Sequence, residues 1–182
     1  MRTILPAEKN LVLRRVAQEI PVSAIKSKPI QNLIKEMRAL LSKEEYGVAL
    51  AAPQVGESLR LFIVSGQALA RDSRNSRDEP KSDEVSPHRI LSDQVYINPE
   101  LIKMSRAKKE KHEGCLSVRG KWGTVPRAEK ATIYAYDEKG VRLTRGASGF
   151  LAQVFQHEMD HLEGILYTDK ATRMYDEEKQ RQ

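Results

Sequence analysis

Apolar and polar positions follow two rhythms along this chain. Residues 8–20, EKNLVLRRVAQEI, and 24–41, AIKSKPIQNLIKEMRALL, repeat Leu, Ile, Val and Met at helical intervals, which predicts two amphipathic helices, the second starting near Pro29. Leu59, Leu61, Phe62, Ile63 and Val64 then cluster as a strand, and VYINPELI, residues 95–102, reads as another. ATIYAYDEKGVRLT, residues 131–144, alternates on both sides of an Asp-Glu-Lys-Gly turn and predicts a β-hairpin. The tract from Ser65 to Asp93 is polar and of mixed charge, so a surface loop insertion is expected over 66–93. A last helix is predicted with Ser148 as its N-cap and Gly164 just past its end. Helices first, strands next and one closing helix describe an α+β fold, expected as one domain over residues 1–182.

The last helix carries the chemistry. Within QHEMDHLEG, residues 156–164, His157 and His161 project from one face a turn apart, where both can reach one divalent metal. Glu158 lies beside them. This H-E-x-x-H spacing marks hydrolytic metal sites in which the glutamate is general base for a metal-bound water. Taken alone it also fits a satisfied buried histidine pair or an exposed helix face. Phe150 and Val154 precede the histidines on the same stripe, so an apolar pocket is expected beside the site. Little chain follows Gly164 to supply a third ligand from downstream. Upstream, EGCLS (113–117) offers Cys115 in a glycine-flanked segment, and a thiolate with two imidazoles leaves the open fourth position that a catalytic site needs.

Composition narrows the setting. The 31 Lys and Arg against 25 Asp and Glu give a formal charge of +6, spread among acids instead of gathered in one block. Its densest part, Lys103, Arg106, Lys108, Lys109 and Lys111, reads as a solvated strand or loop; contact with RNA or an acidic surface is the alternative, without interleaved aromatics to support it. Specific DNA binding is not expected. Cys115 is the only cysteine, which excludes an intrachain disulfide and suits a reducing, cytoplasmic setting. No apolar run is long enough to span a bilayer, and Pro6 and Glu8 interrupt the stretch where a signal peptide would be apolar.

GVALAAPQ, residues 47–54, is by itself a turn-forming segment of small residues. In company it changes meaning. GVALAAPQ, EGCLS and QHEMDHLEG, in this order, resemble the three motifs of bacterial peptide deformylases, and the resemblance extends from NLVLRRVA through VPRAEKATIYAYDEKG to GILYTD. It implies a deformylase-like fold, with antiparallel or mixed sheets packed around the metal-binding helix and helices at the amino-terminal flank. The implied activity is removal of the formyl group from the N-terminal formylmethionine of new polypeptides.

The resemblance also implies roles. Cys115, His157 and His161 would bind one divalent ion, iron(II) by expectation, with zinc, nickel or cobalt able to replace it. Glu158 would handle the proton. The side-chain amide of Gln54 and the backbone N–H of Leu116 would face the developing oxyanion. Gly47, Val48, Ala49, Glu113, Gly114, Phe150 and Val154 would line the path of the substrate, and Glu113 and Arg127 occupy positions that pair as ions in the family. Expected partners are N-formylmethionyl peptides and nascent chains. A transient ribosome contact is compatible with the tail KATRMYDEEKQRQ but is not required by it.

The pattern is departed from in places. Ala49 stands where the family usually has glycine, Arg119 where proline is common, and Trp122 where relatives often carry arginine, so preference beyond the first substrate residue is open. A metalloprotease using the same helix is the competing enzymatic reading. A non-catalytic metal-binding module with an RNA contact is the competing reading from another class.

Overall fold

The structure, a computed structural model, describes residues 2–75 and 92–176. Strands β1 (Ala49–Ala51), β2 (Leu61–Val64), β3 (Gln94–Met104), β6 (Lys130–Tyr136) and β7 (Arg142–Ser148) form one sheet, in the order β1-β2-β3-β6-β7. Strands β4 (Lys108–Cys115), β5 (Val118–Ala128) and β8 (Arg173–Asp176) form a second, in the order β4-β5-β8. Every ladder between these strands is antiparallel, and the parallel pairing among the described residues is an isolated bridge, Gln18↔Leu59.

The larger sheet is buried on both faces at β1 and β2, and β2, Leu-Phe-Ile-Val, is accordingly apolar without alternation. Leu61 and Ile63 pack with Ile30, Leu33, Ile34, Met37 and Leu41 of helix α1 (Lys28–Leu41). Phe62 and Val64 pack on the other side with Leu151, Val154, Phe155, Met159 and Leu162 of helix α3 (Gly149–Leu162). The ring of Phe62 stacks on Tyr96 at 4.8 Å, and Tyr96 meets Phe155 edge-on at 5.2 Å. Each such buried side chain contributes roughly 1.5–3 kcal/mol from removal of apolar surface from water. The site helix is thus fixed by its apolar face.

Several expectations hold. Helix α1 has Pro29 in its first turn, and β6 and β7 form the expected hairpin from Lys130↔Ser148 to Tyr136↔Arg142. Gly164 has φ +73°, and a Cβ there would lie 2.9 Å from the Arg14 carbonyl carbon, so only glycine fits where the end of α3 meets the amino-terminal segment. Ser148 is the N-cap of α3 as expected, though its side chain makes no capping bond. Others are corrected. Helix α2 (Gly66–Asn75) lies where a loop was expected, with Ser65 Oγ accepting from the Ala68 N–H; residues 76–91 of that tract are outside the described residues.

Residues 8–20 do not form a helix. Leu13, Ala17 and Ile20 are buried at helix-like intervals, but the backbone makes 3-10 turns over Ala7–Lys9 and Leu11–Arg14 and is extended at Arg15. Its polar groups are satisfied elsewhere. Leu5 N–H donates to the Gln54 carbonyl at 2.9 Å, Ala7 N–H to the Ser117 carbonyl at 2.8 Å and Ala17 N–H to the Leu162 carbonyl at 2.8 Å. The buried Asn10 amide donates to the Pro53 carbonyl at 2.7 Å. Tertiary partners have replaced the helical ladder. Helix α4 (Tyr167–Lys170) follows α3 and leads into β8. No helix among the described residues is long and apolar enough to cross a membrane.

Candidate metal centre and active site

Three segments converge on α3. Strand β1 runs into a 3-10 turn, Ala52–Val55, that buries Gln54. Gln54 Oε1 accepts the Ala51 N–H at 2.8 Å, which turns its Nε2 toward Cys115 Sγ at 3.5 Å and Ser117 Oγ at 3.4 Å. Strand β4 delivers Glu113, Gly114 and Cys115, with a register irregularity between Glu113 and Cys115 as the chain turns into β5. Helix α3 contributes His157, Glu158 and His161 from its last two turns.

Cys115 Sγ lies 3.3 Å from His161 Nε2. One ligand atom from each of Cys115, His157 and His161 falls within 4.8 Å of the others, a spacing that one ion between them can span. Burial pushes the Cys115 thiol up, but His161 and His157 outweigh it and hold the thiol well below its ordinary value. Burial pushes the His157 imidazole down, yet its hydrogen bonds to Cys115 and Glu113 raise it well above its usual value. Both shifts describe a thiolate seeking positive charge. Burial raises Glu158 to about 7 against the pull of His157 and His161, and Glu158 Oε2 is buried without a hydrogen-bond partner among the described residues.

His157 is held from behind. Its Nδ1 lies 2.9 Å from Glu113 Oε2, leaving Nε2 for the centre. Arg127 grips both Glu113 oxygens, Nε to Oε1 at 2.7 Å and Nη2 to Oε2 at 2.8 Å, and its Nη1 reaches Asp160 Oδ2 at 2.7 Å. Lys170 Nζ closes the chain on Asp160 Oδ1 at 2.6 Å. Burial works to raise Glu113, but Arg127 and His157 outweigh it and bring it to about 2. The Tyr167 ring stacks on His157 at 6.1 Å, and its hydroxyl donates to the Lys121 carbonyl.

A cleft of about 410 Å³ opens beside these groups, with Gln54, Cys115, Leu116, His157 and Glu158 at its floor and Val48, Ala49, Phe150 and Val154 on its apolar side. A family model described as polypeptide deformylase matches residues 1–177. The chain belongs to the polypeptide deformylase family. Its sequence is 34% identical to a peptide deformylase of Desulforudis audaxviator, over 92% of this chain and 88% of that protein. Its structure superposes with a TM-score of 0.75 on a peptide deformylase from Legionella pneumophila, 33% identical, covering 94% of this chain and 86% of that one. A peptide deformylase from Synechococcus elongatus in complex with actinonin superposes at 0.73, with 29% identity, covering 93% of this chain and 78% of that one.

Set against the deformylase expectations, most of the residues named from sequence meet in this cleft. Two are placed or used differently. Gly47 is not among the lining residues; a Cβ there would lie 2.9 Å from Leu41 Cδ1 and 2.9 Å from its carbonyl oxygen, so this glycine serves the packing of the loop on the end of α1. Glu113 lines the cleft and makes the expected ion pair with Arg127, but with Oε2 also on His157 both of its oxygens are engaged. Sequence reasoning missed Asp160, Lys170 and Tyr167, which all support His157 directly or through Arg127. A signal existed for Asp160, a carboxylate inside a helix that is otherwise buried at its end. Trp122 covers Gly114, within 3.4 Å of where its Cβ would be, and forms the cleft wall beyond Cys115.

Proposed function

We propose that this chain removes the formyl group from the N-terminal formylmethionine of new polypeptides, releasing formate, at a centre held by Cys115, His157 and His161. The observation that carries the reading is the meeting of these three donors beside a buried, unpartnered Glu158. The donor set fits a divalent ion: a depressed thiol, one imidazole oriented by a carboxylate and one with Nε2 facing the sulfur. Iron(II) is the ion assigned by family resemblance; zinc, nickel and cobalt suit the same donors. When bound, the ion supplies a Lewis acid that activates water and polarises the formyl carbonyl.

The protein does the rest. Glu158, close to neutral in pKa, takes a proton as the formyl carbon is attacked and returns it to the leaving amine. Gln54 Nε2 and the Leu116 N–H donate to the oxygen on which negative charge develops, the Gln54 amide being already fixed by Ala51. Phe150 and Val154 offer the methionine side chain an apolar wall. Strand β1 has β2 on one side only, so the substrate backbone can add along its free edge at Val48 and Ala49, opposite Gly114.

The family match does not favour the internal-bond protease or the non-catalytic module. Anaerobic incubation with formyl-Met-Ala-Ser and with a longer unformylated peptide, with metal content measured on the same sample, tests the assignment. Formate without chain cleavage is expected; cleavage of the unformylated peptide, or bound metal with no formate, would overturn it. Actinonin is expected to block formate release.

A further inference from the structure

The outer end of the cleft carries charge that the chemistry of its floor does not use. Arg119, near the start of β5, lines the cleft, and its Nη2 donates to Glu44 Oε1 at 2.8 Å. The two side chains come from opposite walls. Glu44 belongs to the loop between α1 and β1 that also places Tyr46 and Val48 in the cleft, whereas Arg119 follows Val118 on the far side of Cys115. Their ion pair therefore spans the mouth.

That pair is easily exchanged. Arg119 keeps 66% of its side chain exposed and Glu44 keeps 23%, and solvated ion pairs hold by only about 0–1 kcal/mol. The neighbouring lining residue Lys121 is exposed and makes no ion pair among the described residues, with Asp176 as its cross-strand neighbour on β8. The carboxylates that line the cleft, Glu113 and Glu158, are both buried at its floor. Of the Lys, Arg, Asp and Glu residues that line the cleft, the exposed ones are the cations Arg119 and Lys121.

We propose that Arg119 is a specificity-determining residue that trades Glu44 for an acidic side chain of the substrate, favouring formylated peptides with Asp or Glu among the residues after methionine. The inference rests on the deformylase reading, and neutral formyl-Met-Ala-Ser tests that reading separately. An acidic side chain entering the mouth replaces an intramolecular carboxylate with an intermolecular one, so no charge is stranded. A lysine entering there meets like charge.

The test is kcat/KM for amidated formyl-Met-Ala-Glu against formyl-Met-Ala-Lys, and for the pair with the charged residue directly after methionine, on metal-loaded enzyme. A preference for glutamate of about twofold to fivefold is expected at low salt, carried by KM and shrinking as salt is added. Arg119→Ala should bring the ratio toward one, and Arg119→Lys should keep part of it. Glu44→Gln should push the ratio upward, because it removes the internal competitor. A ratio of one in the unaltered enzyme, a ratio unchanged by Arg119→Ala, or one lowered by Glu44→Gln would each overturn the proposal. Failure of every peptide, the neutral one included, would fail the deformylase reading instead.

Discussion

The floor and the mouth of this cleft are held by opposite means. At the floor, Lys170, Asp160, Arg127, Glu113 and His157 form an unbroken chain of charged contacts, with Arg127 and Glu113 each only 3–4% exposed. At the mouth, Arg119 and Glu44 meet in water, and Tyr46 beside them is 81% exposed. Buried charges interact strongly and tolerate no missing partner, while solvated ones exchange partners cheaply. The contrast teaches how one cleft can keep its chemistry fixed for every substrate yet remain adjustable in what it prefers.

Substitutions at the floor should therefore act on all peptides alike. The largest effect is expected from Glu158→Gln, which keeps the shape but cannot accept a proton: formate release should nearly vanish while metal content is retained, and rapid turnover by the metal-loaded variant would remove Glu158 from the mechanism. Arg127→Met would strip the buried Glu113 and Asp160 of their shared guanidinium, leaving each with one partner, His157 and Lys170, at a cost of about 3–5 kcal/mol in unfolding free energy. Urea denaturation measures this, and an unchanged midpoint would show that the ion chain does not anchor the floor. Gln54→Leu should lose about a hundredfold to a thousandfold in kcat with metal still bound. Full activity there would rule out the amide as oxyanion donor.

The smallest effect belongs to a solvated pair. Burial works to raise Asp169, but Arg14 and the Leu166 N–H outweigh it and hold the carboxyl below its ordinary 3.8. The stabilisation is fully present above that ordinary value and is lost as pH falls through the lower folded value. Asp169→Asn should therefore lower the melting temperature slightly at neutral pH, and the difference should fade in strong acid. A difference that grew on acidification would reverse the sign of this linkage.

The reach of the sequence differed by the kind of constraint. His157 and His161 were legible because helical periodicity puts them on one face with Glu158 beside them, and Cys115, a candidate from its glycine-flanked segment, was assigned by the resemblance of EGCLS to the family motif. The β6–β7 hairpin was legible because its turn residues act locally: Asp137 accepts the N–H groups of Lys139 and Val141. Residues 8–20 were misread because Leu13, Ala17 and Ile20 imitate a helical stripe while their backbone partners lie as far away as Leu162. Helix α2 was hidden by its polarity, since among its described residues the buried side chains are those of Ala68 and Leu69. The pairing of Glu113 with Arg127 was legible only through the family resemblance, and its hold on His157 not at all, because no spacing encodes a meeting of β4 with α3.

The amino-terminal segment bears on when the enzyme becomes active. Through Leu5, Ala7, Asn10 and Ala17 it bonds to Gln54, Ser117, Pro53 and Leu162, one contact or more behind each of the three motifs, and Gly164 closes against Arg14. The last of these partners is synthesised some 150 residues after the segment itself. A chain still growing on the ribosome carries this brace undocked. Assembly of the centre is thereby deferred until α3 has emerged, so an incomplete copy of the enzyme holds no finished site.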